Sequence, residues 1–149
     1  MNQPTRTKSL NDLPPREGAT YVLYWMGLSQ RARFNPALEY AVEEARKLRL
    51  TVLVCYGTAE SFAEVNARHW AFLLEDMAEV GPEVRKRGIA YVTRRQPPVE
   101  TPLLNAADAA LAVCDRNHLK PVRRFYADFA ARAPCTVAEM AGVHQGLGR

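Results

Sequence analysis

An α/β fold, with a five-stranded parallel sheet and helices on both faces, is what this chain of 149 residues predicts. Three observations carry it. Short β-branched or aromatic runs alternate with longer segments of helical period. The runs are apolar without a break, as in strands buried on both faces. Loops bearing glycine, proline or polar residues separate them. Right-handed crossovers then favour the Rossmann-like strand order 3-2-1-4-5, counting strands along the chain.

The first strand is about Thr20–Trp25, followed by the polar loop Met26–Asn35. Pro36 suits a first helical turn, where a missing N–H costs nothing. The helix it opens runs to about Leu48, with Ala37, Leu38, Ala41, Ala45 and Leu48 on one face. Glu43 can pair with Lys47 four residues on. The second strand is Thr51–Tyr56, closed by Gly57. A long helical segment from about Glu60 to Arg87 carries an apolar stripe through Trp70, Leu73, Leu74, Met77 and Val80. Gly81-Pro82 predicts a kink or break in it.

Gly88 reads as a helix C-cap before the third strand, Ala90–Thr93. After Gln96-Pro97-Pro98 comes a short helix near Pro102–Ala107. The fourth strand is Ala109–Cys114, with Asp115–Asn117 at its carboxyl end. A helix over Pro121–Arg132 turns Val122, Phe125, Phe129 and Ala130 inward, and Thr136–Met140 is the fifth strand. The organisation expected is a loose polar arm over residues 1–18, one domain over 19–141, and a glycine-rich tail over 142–149.

Apolar residues make up 48% and charged residues 24%, the balance of a globular chain. The apolar runs are too short to cross a membrane, and the first residues lack a secretory signal's apolar segment, so cytoplasmic residence is expected. Cys55, Cys114 and Cys135 show no metal or redox spacing and read as core thiols. A net charge of +4 permits contact with nucleic acid without specifying it. Basic residues gather at Arg85–Arg87, Arg94–Arg95 and Arg116–Arg124, where solvated helix faces explain most of them.

Open parallel sheets hold ligands outside the carboxyl ends of their strands. There the loop after the first strand offers Ser29, Gln30, Arg31 and Asn35 rather than a glycine-rich phosphate loop. Arg31 can fork onto a phosphate or carboxylate. Asn35 is the natural cap of the helix opening at Pro36. Asp115 can accept hydrogen bonds from a ligand, pair with Arg31, or cap the next helix. Trp25 ends the central strand and is a candidate for the crevice lining, whereas Trp70 reads as core. His69 and His118 read as helix-surface residues, and no catalytic triad, paired-carboxylate or metal constellation is visible.

YVLYWMGLSQRARFNPALEYAVEEA resembles the opening of class II cyclobutane-pyrimidine-dimer photolyases, in which a YWM strand precedes a Q-R element and an N-x-A-L helix start. ARHWAFLLEDMAEV is similar to the second helix of that family, and DRNHLKPVRRF to its fourth-strand turn. The similarity spans about Thr20–Met140; Phe34 and Gln96-Pro97-Pro98 depart from the family pattern. The resemblance implies an N-terminal α/β domain that binds an antenna chromophore, an 8-hydroxydeazaflavin or a folate. By position, Met26, Gln30, Arg31, Tyr56, Asp115 and Arg116 are the cofactor-binding candidates. It also implies that FAD and the dimer-binding cavity belong to a helical flavin-binding domain outside these residues. The chain alone is then inactive in repair, and DNA is met only through the full-length protein. Two rival readings stand beside it: a Rossmann-like nucleotide-binding module, and a non-catalytic interaction scaffold that forms a homodimer.

Overall fold

The computed structural model describes residues 6–27, 35–57, 79–94, 99–116 and 120–141. Its elements are β1 (Thr7–Ser9), β2 (Tyr21–Trp25), α1 (Pro36–Leu48), β3 (Thr51–Gly57), helical residues 79–86 (α2), β4 (Ala90–Arg94), α3 (Glu100–Ala106), β5 (Ala109–Asp115), α4 (Lys120–Arg132) and β6 (Thr136–Met140). They build one six-stranded sheet in the order β1-β6-β5-β2-β3-β4. The five strands expected from the sequence pair in parallel and lie in the expected order. The sheet is nevertheless mixed, because β1 adds a sixth strand antiparallel to β6.

That sixth strand corrects the expectation of a loose arm over 1–18. Among the described residues from Arg6 onward the arm lies along β6, and Leu10 N–H donates to the Val137 carbonyl at 2.7 Å. β1 is too short and too polar to show a strand pattern, with intermediate or exposed side chains throughout. Backbone pairing, not apolar burial, makes it a strand.

Both faces of the sheet are covered. One carries α1 and α2, whose Leu38, Ala41, Ala45, Val80 and Val84 pack with Val22, Tyr24, Met26, Val54 and Val113. The other carries α3 and α4, whose Ala106, Tyr126, Phe129 and Ala130 pack with Leu23, Trp25, Cys55, Cys114 and Val137. Alternate residues of each strand serve opposite layers, which is why a strand reads as an unbroken apolar run.

Local signals are well obeyed. Asn35 Oδ1 accepts from Leu38 N–H at 3.1 Å, capping α1 as its side chain predicts. Gly88 takes φ +78° behind α2, and Ile89 N–H reaches back to the Val84 carbonyl. Lys47 pairs with Glu44 at 3.0 Å, three residues back, and not with Glu43. Helical residues run through Gly81 and Pro82; the rest of the segment expected from Glu60, with Trp70 and His69, lies outside the described residues. The same holds for Gln96-Pro97-Pro98, His118 and the tail over 142–149.

Cys55, Cys114 and Cys135 are free and buried. Burial raises all three thiols, Cys135 to about 11. A raised native value means the folded chain holds its thiol protons where the unfolded chain releases them. This contribution to stability is intact below about pH 9, the ordinary thiol value, and is lost as pH rises toward the folded values. Urea midpoints are therefore expected to fall from pH 8 to pH 10, less steeply in a variant with all three cysteines changed to alanine or serine. Native thiols are expected to react with an aromatic disulfide only at the rate of unfolding; prompt labelling of any of them contradicts the burial.

Candidate ligand site at the strand ends

Met26, Tyr56 and Asp115 occupy one level of the sheet. Trp25 pairs with Cys55 on one side and Cys114 on the other, so the next residue of each strand stands in a row at the carboxyl end. A slip in register sets the direction of Asp115. Tyr21 is opposite Ala109, yet Leu23 is opposite Ala112, so β5 carries one extra residue. Such an insertion reverses which face the later side chains serve. Ala109 packs in the α3–α4 layer, whereas Leu111 and Val113 pack in the α1 layer. Asp115 follows Val113 and meets Tyr24, which belongs to that same α1 layer.

The carboxylate of Asp115 is almost fully buried and is committed to the protein itself. Tyr24 Oη lies 3.1 and 3.0 Å from its two oxygens and donates to them. Gly27 N–H donates to Oδ2 at 3.3 Å. Asn35 Nδ2 in turn donates to Tyr24 Oη at 3.1 Å, while its own Oδ1 caps α1. Burial, with the neighbouring carboxylate, holds the Tyr24 phenol well above its ordinary value, so it is a hydrogen-bond donor at every physiological pH. The cluster grips Gly27 at the entrance of the loop after β2 and Asn35 at its exit. Buried polar groups of this kind are stable only when each finds a partner.

Arg116 turns toward the other layer. Its Nε donates to Glu139 Oε2 at 3.1 Å, and Arg123 of α4 approaches Glu139 Oε1 at 3.7 Å. Glu139 is 2% exposed, while the Arg116 and Arg123 side chains are 28% and 41% exposed. Glu139 Oε1 accepts no hydrogen bond among the described residues. A buried acid therefore holds two arginines at the rim of the strand ends.

Of the six cofactor-binding candidates, the structure places Met26 inside the α1 layer, 1% exposed. Tyr56 is half-buried against that layer, Asp115 is locked inside, and Arg116 is partly exposed. Gln30 and Arg31 lie outside the described residues, as does any contact of Arg31 with Asp115. Trp25 is core rather than crevice: its ring meets Tyr126 and Phe129 edge to face, with centroids 5.2 and 5.1 Å away. Sequence reading passed over Tyr24 and Glu139. A tyrosine and an acid inside otherwise apolar strands each need a buried partner, and that was the available signal. Among the described residues, no group of three or more His, Cys, Asp or Glu side chains could hold a metal ion. Nor is any helix of the described residues long and apolar enough to cross a membrane.

The geometry agrees with comparisons to known proteins. The family model for DNA photolyase matches residues 22–146. The deoxyribodipyrimidine photo-lyase of Methanothermobacter thermautotrophicus is 40% identical over 128 residues, 86% of this chain and 28% of that protein. Among solved structures, a class III photolyase from Agrobacterium tumefaciens superposes with a TM-score of 0.67 at 17% identity, covering 89% of this chain and 28% of the other. A universal stress protein in complex with cAMP shares the fold with a TM-score of 0.56 at 14% identity, covering 85% of this chain and all of that one. The chain thus spans little more than a quarter of each of these two photolyases. With the family model matched over most of its length, the chain belongs to the DNA photolyase family and corresponds to the N-terminal α/β domain.

Proposed function

We propose that this domain, of the class II type, serves a light-dependent pyrimidine-dimer repair enzyme of the cytoplasm by seating an antenna chromophore at the carboxyl ends of β2, β3 and β5. The observation that carries this reading is the division of labour in the strand-end row. Tyr24 and Gly27 donate to Asp115, and Asn35 in turn holds Tyr24, so Asp115 positions the loop after β2. Tyr56 and Arg116 are left as the described candidates with exposed surface. A half-buried phenol ring suits a flat heteroaromatic ligand. A guanidinium held at Nε suits an anionic oxygen, whether folate carboxylate or deazaflavin phenolate. These residues fit an 8-hydroxydeazaflavin or a folate, with Gln30 and Arg31 as further candidates and Met26 as packing behind the row. When bound, the chromophore would supply light absorption and energy transfer. FAD would be held by a helical domain docked against this one, and DNA would be met by the complete protein.

Fluorescence titration of the purified chain with each chromophore tests the reading. Binding by one of them is expected, weakened roughly tenfold by Arg116→Lys, which keeps charge opposite Glu139 but loses the planar fork. A second reading, a nucleotide-binding module, draws on the fold shared with the cAMP-bound universal stress protein. It predicts a higher melting temperature with AMP or ATP. Stabilisation by nucleotide and indifference to both chromophores would replace the antenna reading.

A further inference from the structure

The strap formed by residues 6–13 is held by its own short strand and by one side chain beyond that strand's end. Asn11 Nδ2 donates to the carbonyls of Ala130 and Cys135, both at 3.0 Å. Its Oδ1 accepts from Val137 N–H at 3.1 Å. A single amide thus satisfies a carbonyl in the last turn of α4, a carbonyl in the α4–β6 turn and the first inward edge amide of β6. The strap is fastened further at its ends. Ala141 N–H donates to the Arg6 carbonyl at 2.9 Å, the Arg6 guanidinium donates to the Ala141 carbonyl at 3.0 Å, and Thr136 Oγ1 donates to the Leu13 carbonyl at 2.6 Å.

We propose that Asn11 is the latch that keeps this strap over β6, and that unlatching it turns the β6 edge into a pairing surface for a second copy of the chain. The proposal is independent of the antenna reading. An uncovered edge strand presents a row of unpaired N–H and C=O groups and templates the addition of another strand. β6 is a good template, since TVAEM opens with two β-branched residues and has Glu139 as its one charge. Self-pairing is permitted by its register. In the β1–β6 ladder Ser9 faces Ala138, between the hydrogen-bonded positions of Val137 and Glu139. A second β6 arriving antiparallel, with Ala138 facing Ala138, would reuse those edge groups and pair each Val137 with the partner's Glu139. Two alanines permit the close approach of a non-hydrogen-bonded pair, and the two Glu139 carboxylates do not meet. The result is a two-fold dimer, the commonest closed assembly.

The test reads the Ala141 amide, whose partner is Arg6, five residues from the latch. Loss of the Asn11 side chain alone would not reach it, whereas lifting of the strap would. In Asn11→Ala, hydrogen exchange at Ala141 is expected to accelerate roughly tenfold or more, with Val54 and Val113 unchanged. Sedimentation velocity should then show a dimer that grows with concentration and that the strap peptide RTKSLNDL, added in trans, dissolves. Arg6→Ala removes a single guanidinium contact and should show the same changes more weakly, even where Asn11→Ala fails to fold. Unchanged Ala141 exchange in both variants, fast exchange with a monomer at every concentration, a peptide-resistant dimer, or a wild-type chain already dimeric with its strap in place would each overturn the proposal.

Discussion

Asp115→Ala is expected to destabilise the domain by about 3 kcal/mol, because it takes the charged acceptor from one fully buried and one partly buried donor at once. Tyr24 Oη and Gly27 N–H both lose the carboxylate, and fully buried Tyr24 falls back on the longer contact with Asn35 Oδ1 at 3.3 Å, an oxygen already capping α1. An unsatisfied buried donor costs roughly 1–3 kcal/mol, well above the net worth of a hydrogen bond between exposed groups. Tyr24→Phe is expected to cost less, about 1–2 kcal/mol, since Asp115 keeps the Gly27 N–H. The two changes share one interaction, so the double variant should cost less than their sum by about 1 kcal/mol. Urea unfolding of the four proteins gives the cycle. Strict additivity, or an Asp115→Ala variant within experimental error of the wild type, would show that the cluster does not hold the loop ends.

Arg116→Met and Glu139→Met are expected to differ sharply although they break the same ion pair. The difference lies in burial: the acid is 2% exposed and Arg116 is 28% exposed. Removing Arg116 leaves a buried carboxylate with, among the described residues, the longer approach of Arg123 at 3.7 Å. That should cost about 3 kcal/mol, the usual consequence of an uncompensated buried charge. Removing Glu139 lets two partly exposed arginines turn to water, and it also removes an Oε1 that accepts no hydrogen bond among the described residues. Glu139→Met should therefore lie within about 1 kcal/mol of the wild type, or above it in stability. Adding Glu139→Met to Arg116→Met should recover most of the loss. Equal costs for the two single variants would mean that the arginines are not free to solvate. The pair then serves position rather than stability, holding Arg116 at the strand ends at a cost in desolvation.

Much of the fold was legible from residue pattern. Tyr21–Trp25, Thr51–Gly57 and Ala109–Asp115 are strands because an unbroken apolar run bounded by turn residues suits only a strand covered twice. Asn35-Pro36 announced the start of α1, and Gly88 the end of α2, through local backbone chemistry alone. β1 escaped detection because its pairing is with β6, more than a hundred residues away, and involves backbone and Asn11 rather than apolar side chains. Lys47 chose Glu44 over Glu43 because both lie within reach on a helix surface, and side-chain geometry decides between them.

The candidate site divides in the same way. Its location, at the carboxyl ends beside the loop after β2, followed from topology, and Asp115 and Arg116 were marked by standing at the end of an apolar run. Their roles were not legible. The extra residue in β5 decides that Asp115 faces Tyr24 and not α4, and in a strand buried along its whole length no alternation records that slip. Glu139, an acid inside a strand, showed nothing of the two arginines it holds.

By itself, then, the sequence determined the order of elements, the layers and the family, since each depends on periodicities and caps spanning a few neighbouring residues. Only the tertiary structure decided which polar groups are consumed within the protein and which reach solvent. Hydrogen bonds and ion pairs act over about 3 Å, and the groups that meet here are up to 135 positions apart in the chain.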